Sequence, residues 1–241
     1  YWTILLVPRV GQYWIKFYKV EFEENAVVEG AVNAFFMAFF ILAASTAALF
    51  GKSRYTIQGN TLIFDMAIEE PGHEFDGNLD EYDAKEILAY LFENPEISVL
   101  RVTGPGGSMR AARTITDYLV LHNINTEALG ICNSACSYIF LGGTIRTLFP
   151  DAKLGFHRPW ANKARLRKEY LDSRPLYDWH DEFDYAATLF DSSMIDLLNY
   201  IKFMLSRGVD IEFILNAFST DSFHMWYPSK EQLVVAGIVT Q

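Results

Sequence analysis

Three short stretches within residues 104–159 carry residue types that acyl transfer uses. Residues 104–107 read Gly-Pro-Gly-Gly, and a glycine-rich turn can direct backbone N–H groups at a developing oxyanion. Ser134 lies where a predicted strand gives way to a helix, so its hydroxyl would be exposed beside the positive end of that helix. His157 ends a further predicted strand and can act as the base that a serine nucleophile requires. The order of these stretches predicts a nucleophilic site.

Each residue of this site also has an ordinary structural role to weigh. A serine at a helix start often caps the helix with its side chain, and a histidine at a strand end is often a satisfied core residue. Cys132 and Cys136 flank the serine at a spacing that suits either a disulfide or two small buried apolar side chains. The sequence leaves both alternatives for the cysteines open.

Strands and helices alternate on both sides of these stretches and predict an α/β fold. Residues 55–68 alternate like a strand pair around Gly59 and Asn60, and residues 97–102, 128–131, 146–148 and 154–156 are short apolar strands. Helical spacing marks residues 83–93, 109–121, 134–141, 183–205 and 209–218. In such folds ligands bind at the carboxyl ends of the strands, where the glycine-rich turn, Ser134 and His157 all fall.

The C-terminal third changes in character. Residues 163–184 run from basic to acidic and predict a solvated, mobile face, with a cover over the site as the functional alternative. The apolar helix 183–205 predicts a core or a subunit interface. Residues 227–239 predict a capped helix that leads into a final strand.

The N-terminal fifty residues supply much of the chain's apolar character. Residues 31–50 form a twenty-residue stretch without charge, long enough to cross a bilayer at about 1.5 Å per residue. A buried core helix and a cleaved signal peptide are the alternatives to a transmembrane helix. The aromatic residues and cations of segment 1–30 suit either a lipid headgroup zone or a protein docking surface. Arg9, Lys16 and Lys19 favour an inside N-terminus, which would place residues 51–241 outside the cytoplasm, in the periplasm.

Composition narrows the function. The net charge of −10 argues against a nucleic-acid partner, because phosphate binding needs clustered cations. Two cysteines are too few for a disulfide scaffold and complete no zinc pattern, so neither metal nor another cofactor is expected.

Four motifs in this order resemble the ClpP/crotonase superfamily, in particular its membrane-linked or periplasmic ClpP-like serine peptidases. They are Gly-Pro-Gly-Gly at 104–107, Cys-Asn-Ser-Ala-Cys at 132–136, Gly-Phe-His-Arg-Pro at 155–159 and the terminal Tyr-Pro-Ser-Lys-Glu-Gln-Leu element from Tyr227. The resemblance covers residues 55–240 and implies a ClpP/crotonase-like domain of ββα units. It implies an oxyanion hole from the N–H groups of Gly106 and Ala135, with Ser134 as nucleophile and His157 as base. The family's acid falls near His224 or Met225, so Asp221 is the nearest carboxylate and the expected third member.

The resulting expectation is a single-pass membrane-anchored serine peptidase that cleaves peptide bonds without ATP. Its partners would be a peptide or protein substrate, membrane lipid, and other subunits of a membrane complex or further copies of itself. An inactive ClpP-like scaffold subunit is the first alternative. An acyl-CoA enzyme of the crotonase type is the second, although such enzymes generally act through carboxylates.

Overall fold

The computed structural model describes residues 2–9, 12–19, 53–68 and 77–241, which divide into one unit up to Gly51 and a second from Lys52. In the first unit, β1 (Trp2–Arg9) and β2 (Gln12–Lys19) pair antiparallel, with Trp2 opposite Lys19 and Arg9 opposite Gln12. The predicted transmembrane segment 31–50 lies outside the described residues. Within the described ranges, no helix combines the length and apolar character needed to cross a membrane.

The second unit is built on a six-stranded sheet. Its strands are β3 (Tyr55–Gln58), β4 (Thr61–Asp65), β5 (Val99–Gly104), β6 (Asn125–Asn133), β7 (Arg146–Leu148) and β8 (Lys153–Gly155). β3 and β4 form an antiparallel hairpin, and β4, β5 and β6 then pair in parallel. The long β6 pairs with β7 through its first half and with β8 through its second half.

Seven helices follow or connect these strands in the described part of the second unit. They are α1 (Glu81–Glu93), α2 (Met109–His122), α3 (Ala135–Leu141), α4 (Lys163–Ser173), α5 (Glu182–Ser206), α6 (Ile211–Ser219) and α7 (Lys230–Val235). The α/β class predicted from the sequence is confirmed, and each helix that the spacing predicted is present within a few residues of its expected bounds. α2 lies between α1 and α3 over the parallel strands, with a core of fully buried Leu100, Val102, Ile115, Leu119 and Phe140.

A buried ion pair fixes the hairpin to α1. Asp80 caps α1 and Asp83 closes the capping box, because its carboxylate accepts from the Asp80 N–H. The fully buried Arg54 guanidinium lies against the same Asp83 carboxylate at 2.9 Å and donates to the carbonyls of Met66 and Asn78. Removing one partner of a buried ion pair costs roughly 3–5 kcal/mol. The pair of Arg54 and Asp83 therefore holds α1 against the β3–β4 hairpin.

The C-terminal end does not form the predicted final strand. The guanidinium of Arg146 on β7 donates to the carbonyls of Gly237 and Ile238, each at 2.7 Å, and to those of Gly143 and Arg207 at 3.2 Å. The carbonyls that a strand would present to a neighbour are therefore already bonded to a side chain. Burial lowers the pKa of Arg146 to about 10, with repulsion from Arg207 as a second cause.

The charged run after Trp160 is the other departure. Residues 163–173 form helix α4, which the sequence did not predict; it is capped by Asn162 and buries Tyr170, while most of its other side chains are exposed, as a solvated face requires. The apolar helix α5 buries Tyr185, Tyr200 and Met204, whereas Phe183 and Phe190 are largely exposed. Much of α5 is therefore not core, and the subunit interface that the sequence offered as the alternative stays a prediction.

Candidate active site

Ser134 occupies a strained turn between β6 and α3. Its backbone has φ 54° and ψ −119°, a left-handed conformation that a non-glycine residue adopts at a cost of roughly 1–3 kcal/mol. The Ser134 N–H donates to the carbonyl of Gly155 on β8 at 2.8 Å, which ties the turn to the neighbouring strand. Its side chain makes no capping hydrogen bond, so the helix-cap alternative is excluded. A strained strand–turn–helix geometry also exposes the nucleophilic serine of α/β-hydrolases.

Side-chain contacts on either side hold this turn closed. Cys132 and Cys136, both fully buried, form a disulfide that brackets Ser134, with their Cα atoms 5.1 Å apart. The Ser137 hydroxyl lies 2.7 Å from the Cys132 carbonyl and 3.0 Å from that of Gly155, and its hydrogen is shared between them. Of the two alternatives for the cysteines, the structure has the disulfide.

His157 meets the serine from the strand end of β8. Its Nε2 lies 2.8 Å from Ser134 Oγ, a hydrogen bond between residues 23 positions apart. Burial lowers the pKa of His157 below its ordinary value of 6.5, against a weaker opposing interaction with the Arg158 backbone. The imidazole is therefore neutral near pH 7, and when its Nε2 accepts from the serine its proton is on Nδ1.

The predicted contact between Asp221 and His157 is wrong. The Asp221 carboxylate accepts from the Phe223 N–H at 2.8 Å and lies 2.7 Å from Nδ1 of His224, a side chain that is mostly exposed. These hydrogen bonds, with the Phe223 N–H first, lower the pKa of Asp221. Asp221 closes a local turn through its own backbone instead. His157 Nδ1 is buried, and within the described ranges no side-chain carboxylate accepts its proton.

Met225 occupies the place opposite His157. Phe156 and Trp226 exchange both backbone hydrogen bonds at 2.9 Å in an isolated antiparallel bridge, so the next pair outward is His157 with Met225. Gly155 is on the same face, and a Cβ added to it would come within 2.6 Å of Met225 Cγ and 2.2 Å of Asn133 Oδ1. A thioether side chain, and no carboxylate, therefore lies across from His157.

The glycine-rich turn reaches the serine from the other side. Gly106 has φ 93°, and a Cβ on it would meet the Asn133 carbonyl at 2.5 Å and the Ala135 nitrogen at 2.9 Å. Only glycine permits this backbone approach. The Gly106 N–H has no acceptor among the described residues, and Ala135 is the first residue of α3, where N–H groups lack intrahelical partners. Both predicted oxyanion donors thus lie beside Ser134.

Two clefts open on either side of the Ser134–His157 pair and share Met109, Pro159 and Tyr200 as walls. The first is apolar. Its other walls are Tyr138, Leu141, Phe156, Met204, Ala217 and Phe218.

The second cleft is polar. Its other walls are Gly107, Ser108, Arg110, Arg113, Trp160, Arg165 and Asp196. Sequence reasoning missed both clefts. The one available signal was the pair of arginines three residues apart at the start of the helix that follows the glycine-rich turn.

Comparison with known proteins gives a partial match. No family model matches the chain. A relative described as an ATP-dependent Clp protease proteolytic subunit, from Pleurastrum terricola, is 29% identical over 92 residues, which are 34% of this chain and 47% of the relative. The chain therefore matches about half of that relative's length. The site and this similarity together define the coarse class, an α/β protein that resembles Clp-type peptidase subunits.

The disulfide around Ser134 gives the first prediction. In the full chain denatured without reductant, Cys132 and Cys136 should not react with a maleimide, because both sulfurs are bonded. After reduction, mass spectrometry should show two added alkyl groups. The Cys132→Ser variant is the control, since its remaining thiol should react without reductant. Two reactive thiols in the unreduced wild type would contradict the disulfide.

Proposed function

We propose that this chain is a ClpP-like serine peptidase that works through a Ser134–His157 dyad. The observation that carries the proposal is the 2.8 Å hydrogen bond between His157 Nε2 and a serine hydroxyl on a strained turn. Strain of this kind persists only where the surrounding structure enforces it, and it is concentrated at functional sites. A helix cap or a core histidine accounts for neither the strain nor the bond.

The chemistry follows from the positions of the atoms. Ser134 Oγ attacks the scissile carbonyl while His157 Nε2 takes its proton, and the same nitrogen later protonates the leaving amine. The N–H groups of Gly106 and Ala135 stabilise the oxyanion of the tetrahedral intermediate. Water then attacks the acyl-enzyme with His157 as base again. The apolar cleft next to Ser134 suits an apolar side chain of the substrate.

We further propose that residues 31–50 anchor this domain in a membrane, with lipid and other subunits or further copies of the chain as partners. The uncharged twenty-residue stretch supports the anchor. The exposed apolar side chains of α5 support assembly, since exposed apolar patches often mark interaction sites. The domain would then lie outside the cytoplasm, where its disulfide would persist.

A ClpP-like subunit with little or no activity is the second candidate. Met225 opposite His157 is the observation that favours it, because loss of the orienting acid costs several powers of ten in turnover in serine peptidases. The dyad reading is preferred because the Ser134–His157 bond and both oxyanion donors remain in place.

Labelling by a fluorophosphonate tests the dyad. The wild-type chain should be labelled at Ser134, and Ser134→Ala or His157→Ala should abolish labelling, because one removes the nucleophile and the other its base. Ser193→Ala, at an exposed serine on α5, is the control and should leave labelling unchanged. Equal labelling of wild type and His157→Ala would refute the peptidase proposal and favour the scaffold.

The pH dependence tests the burial of His157. Labelling needs the neutral imidazole, so its rate should rise with pH and reach a plateau. Since burial lowers the pKa of His157, the midpoint should lie below 6.5, and the reaction should persist at a pH where an ordinary histidine is mostly protonated. The measurement is the labelling rate from pH 4.5 to 8.5. A midpoint above 7 would contradict the effect of burial.

Substitutions at Asp221 and Met225 test the missing acid. Asp221→Asn should change the labelling rate by about twofold or less, as expected for a surface site. Met225→Asp should give His157 Nδ1 an acceptor, raise the pKa of His157, and increase the plateau rate by roughly tenfold or more. Met225→Asn is the control that adds polarity without charge. A large loss in Asp221→Asn would restore Asp221 as the third member.

A further inference from the structure

The polar cleft concentrates positive charge in an acidic protein. The chain carries 30 acidic and 20 basic side chains, yet the cleft is lined by Arg110, Arg113 and Arg165 and by one carboxylate, that of Asp196; Glu81, outside the lining, lies 3.0 Å from Arg110 and 3.8 Å from Arg165. The cleft is bounded by Ser134 and His157, so any ligand in it touches the dyad. This charge is local to the cleft and opposite in sign to that of the chain.

The carboxylates near Arg110 and Arg113 occupy only a few of the donors of these two side chains. Arg110 contacts Glu81 through Nε at 3.0 Å. Arg113 has two long ion pairs, 3.9 Å to Asp196 and 4.0 Å to Asp117, neither of which is a hydrogen bond. A guanidinium has five donors in a fixed fork, so both side chains keep most of theirs for a ligand.

The position of the two arginines is fixed by the turn that forms the oxyanion hole. Ser108 follows that turn, caps α2 through the Ala111 N–H and donates its own hydrogen to Glu81 at 2.7 Å. Arg110 and Arg113 are three residues apart on α2 and therefore share a helix face, here the one that lines the cleft. The Arg113 side chain is 47% exposed and that of Arg110 is 73% exposed, so water screens the charge of Arg113 less than that of Arg110.

We infer that the polar cleft is a substrate subsite for a carboxylate, and that Arg110 and Arg113 determine the specificity for it. The inference rests on the proposed peptidase function and names its substrate class: a peptide with an apolar residue in the apolar cleft and a carboxylate close to it in the chain. The carboxylate is either an acidic side chain or the peptide's own C-terminus. Paired guanidinium groups bind a carboxylate through charge-assisted hydrogen bonds.

Binding to the full-length Ser134→Ala chain tests the subsite without turnover. The ligands are dye-labelled, amidated hexapeptides with leucine at the centre and glutamate, glutamine or lysine on both sides. Fluorescence anisotropy at low salt should show the glutamate peptide binding roughly tenfold more tightly than the glutamine peptide, with the lysine peptide weakest. The preference should shrink with added salt. A glutamine peptide with a free C-terminal carboxylate separates the two sources of the charge.

Variants of the arginines test whether the preference for the glutamate peptide arises in the polar cleft. Arg110→Gln with Arg113→Gln should bring the glutamate-to-glutamine affinity ratio close to one. Arg167→Gln, an exposed arginine on α4 outside the cleft, should leave the ratio unchanged. Equal affinities in the parent chain, an unchanged ratio in the double variant, or no binding of any peptide would overturn the subsite. Failure of the peptidase proposal has a separate signature, the absence of fluorophosphonate labelling of wild type.

Discussion

The hydrogen bond from the Ser134 N–H to the Gly155 carbonyl is the contact on which the site depends. It joins the end of β6 to β8, and His157 follows two residues later, just beyond the end of β8. The nucleophile and its base are therefore placed by one pair of neighbouring strands. The disulfide and the Ser137 hydroxyl hold the same short segment, so the strained backbone at Ser134 has no easy way to relax. A shift of about 1 Å in such a contact can cost a hundredfold in rate, which explains this degree of bracing.

The environment of His157 explains how a dyad could work and what limits it. Burial keeps the imidazole neutral near pH 7, whereas a carboxylate partner would raise its pKa and make it a stronger base. The same burial penalises the imidazolium that forms once the proton has moved, and no carboxylate in the described ranges offsets this penalty. The oxyanion donors at Gly106 and Ala135 act on the other charge of the same transition state. Much of the stabilisation must therefore come from the backbone turn.

The sequence predicted the parts of the site that depend on a few neighbouring residues. It did not predict the part that depends on how segments far apart in the chain align. The turn at 104–107, the junction at Ser134 and the strand end at His157 are each visible in a few residues, and the structure brings them together. The place of Asp221 depends on the bridge between Phe156 and Trp226, which sets which residue faces His157. Asp221 was predicted because it is the nearest carboxylate in the sequence. The bridge instead places Met225 opposite His157.

Two elements of the fold also differ from what the sequence predicted. Helix α4 was not predicted because it buries little besides Tyr170, and a helix without an apolar face leaves no periodic signal. The final strand was predicted because its residues suit one, yet Arg146, some ninety positions earlier, bonds to its carbonyls. No local pattern contains that information.

The arginines of this acidic chain differ in how fully their donors are used, which supports the proposed carboxylate subsite. Arg146 lies in the interior and donates to four carbonyls, and Arg207 beside it donates to those of Leu141 and Gly143. Buried cations thus have their donors well used, as burial requires. Arg110 and Arg113 stand at the mouth of the site with single or long contacts to carboxylates. Water can satisfy them while the cleft is open, but a peptide that lies against Ser134 would displace this water. Carboxylate groups on that peptide would then take the place of the displaced water. A peptide without carboxylates would leave the two guanidinium groups desolvated and without these hydrogen bonds.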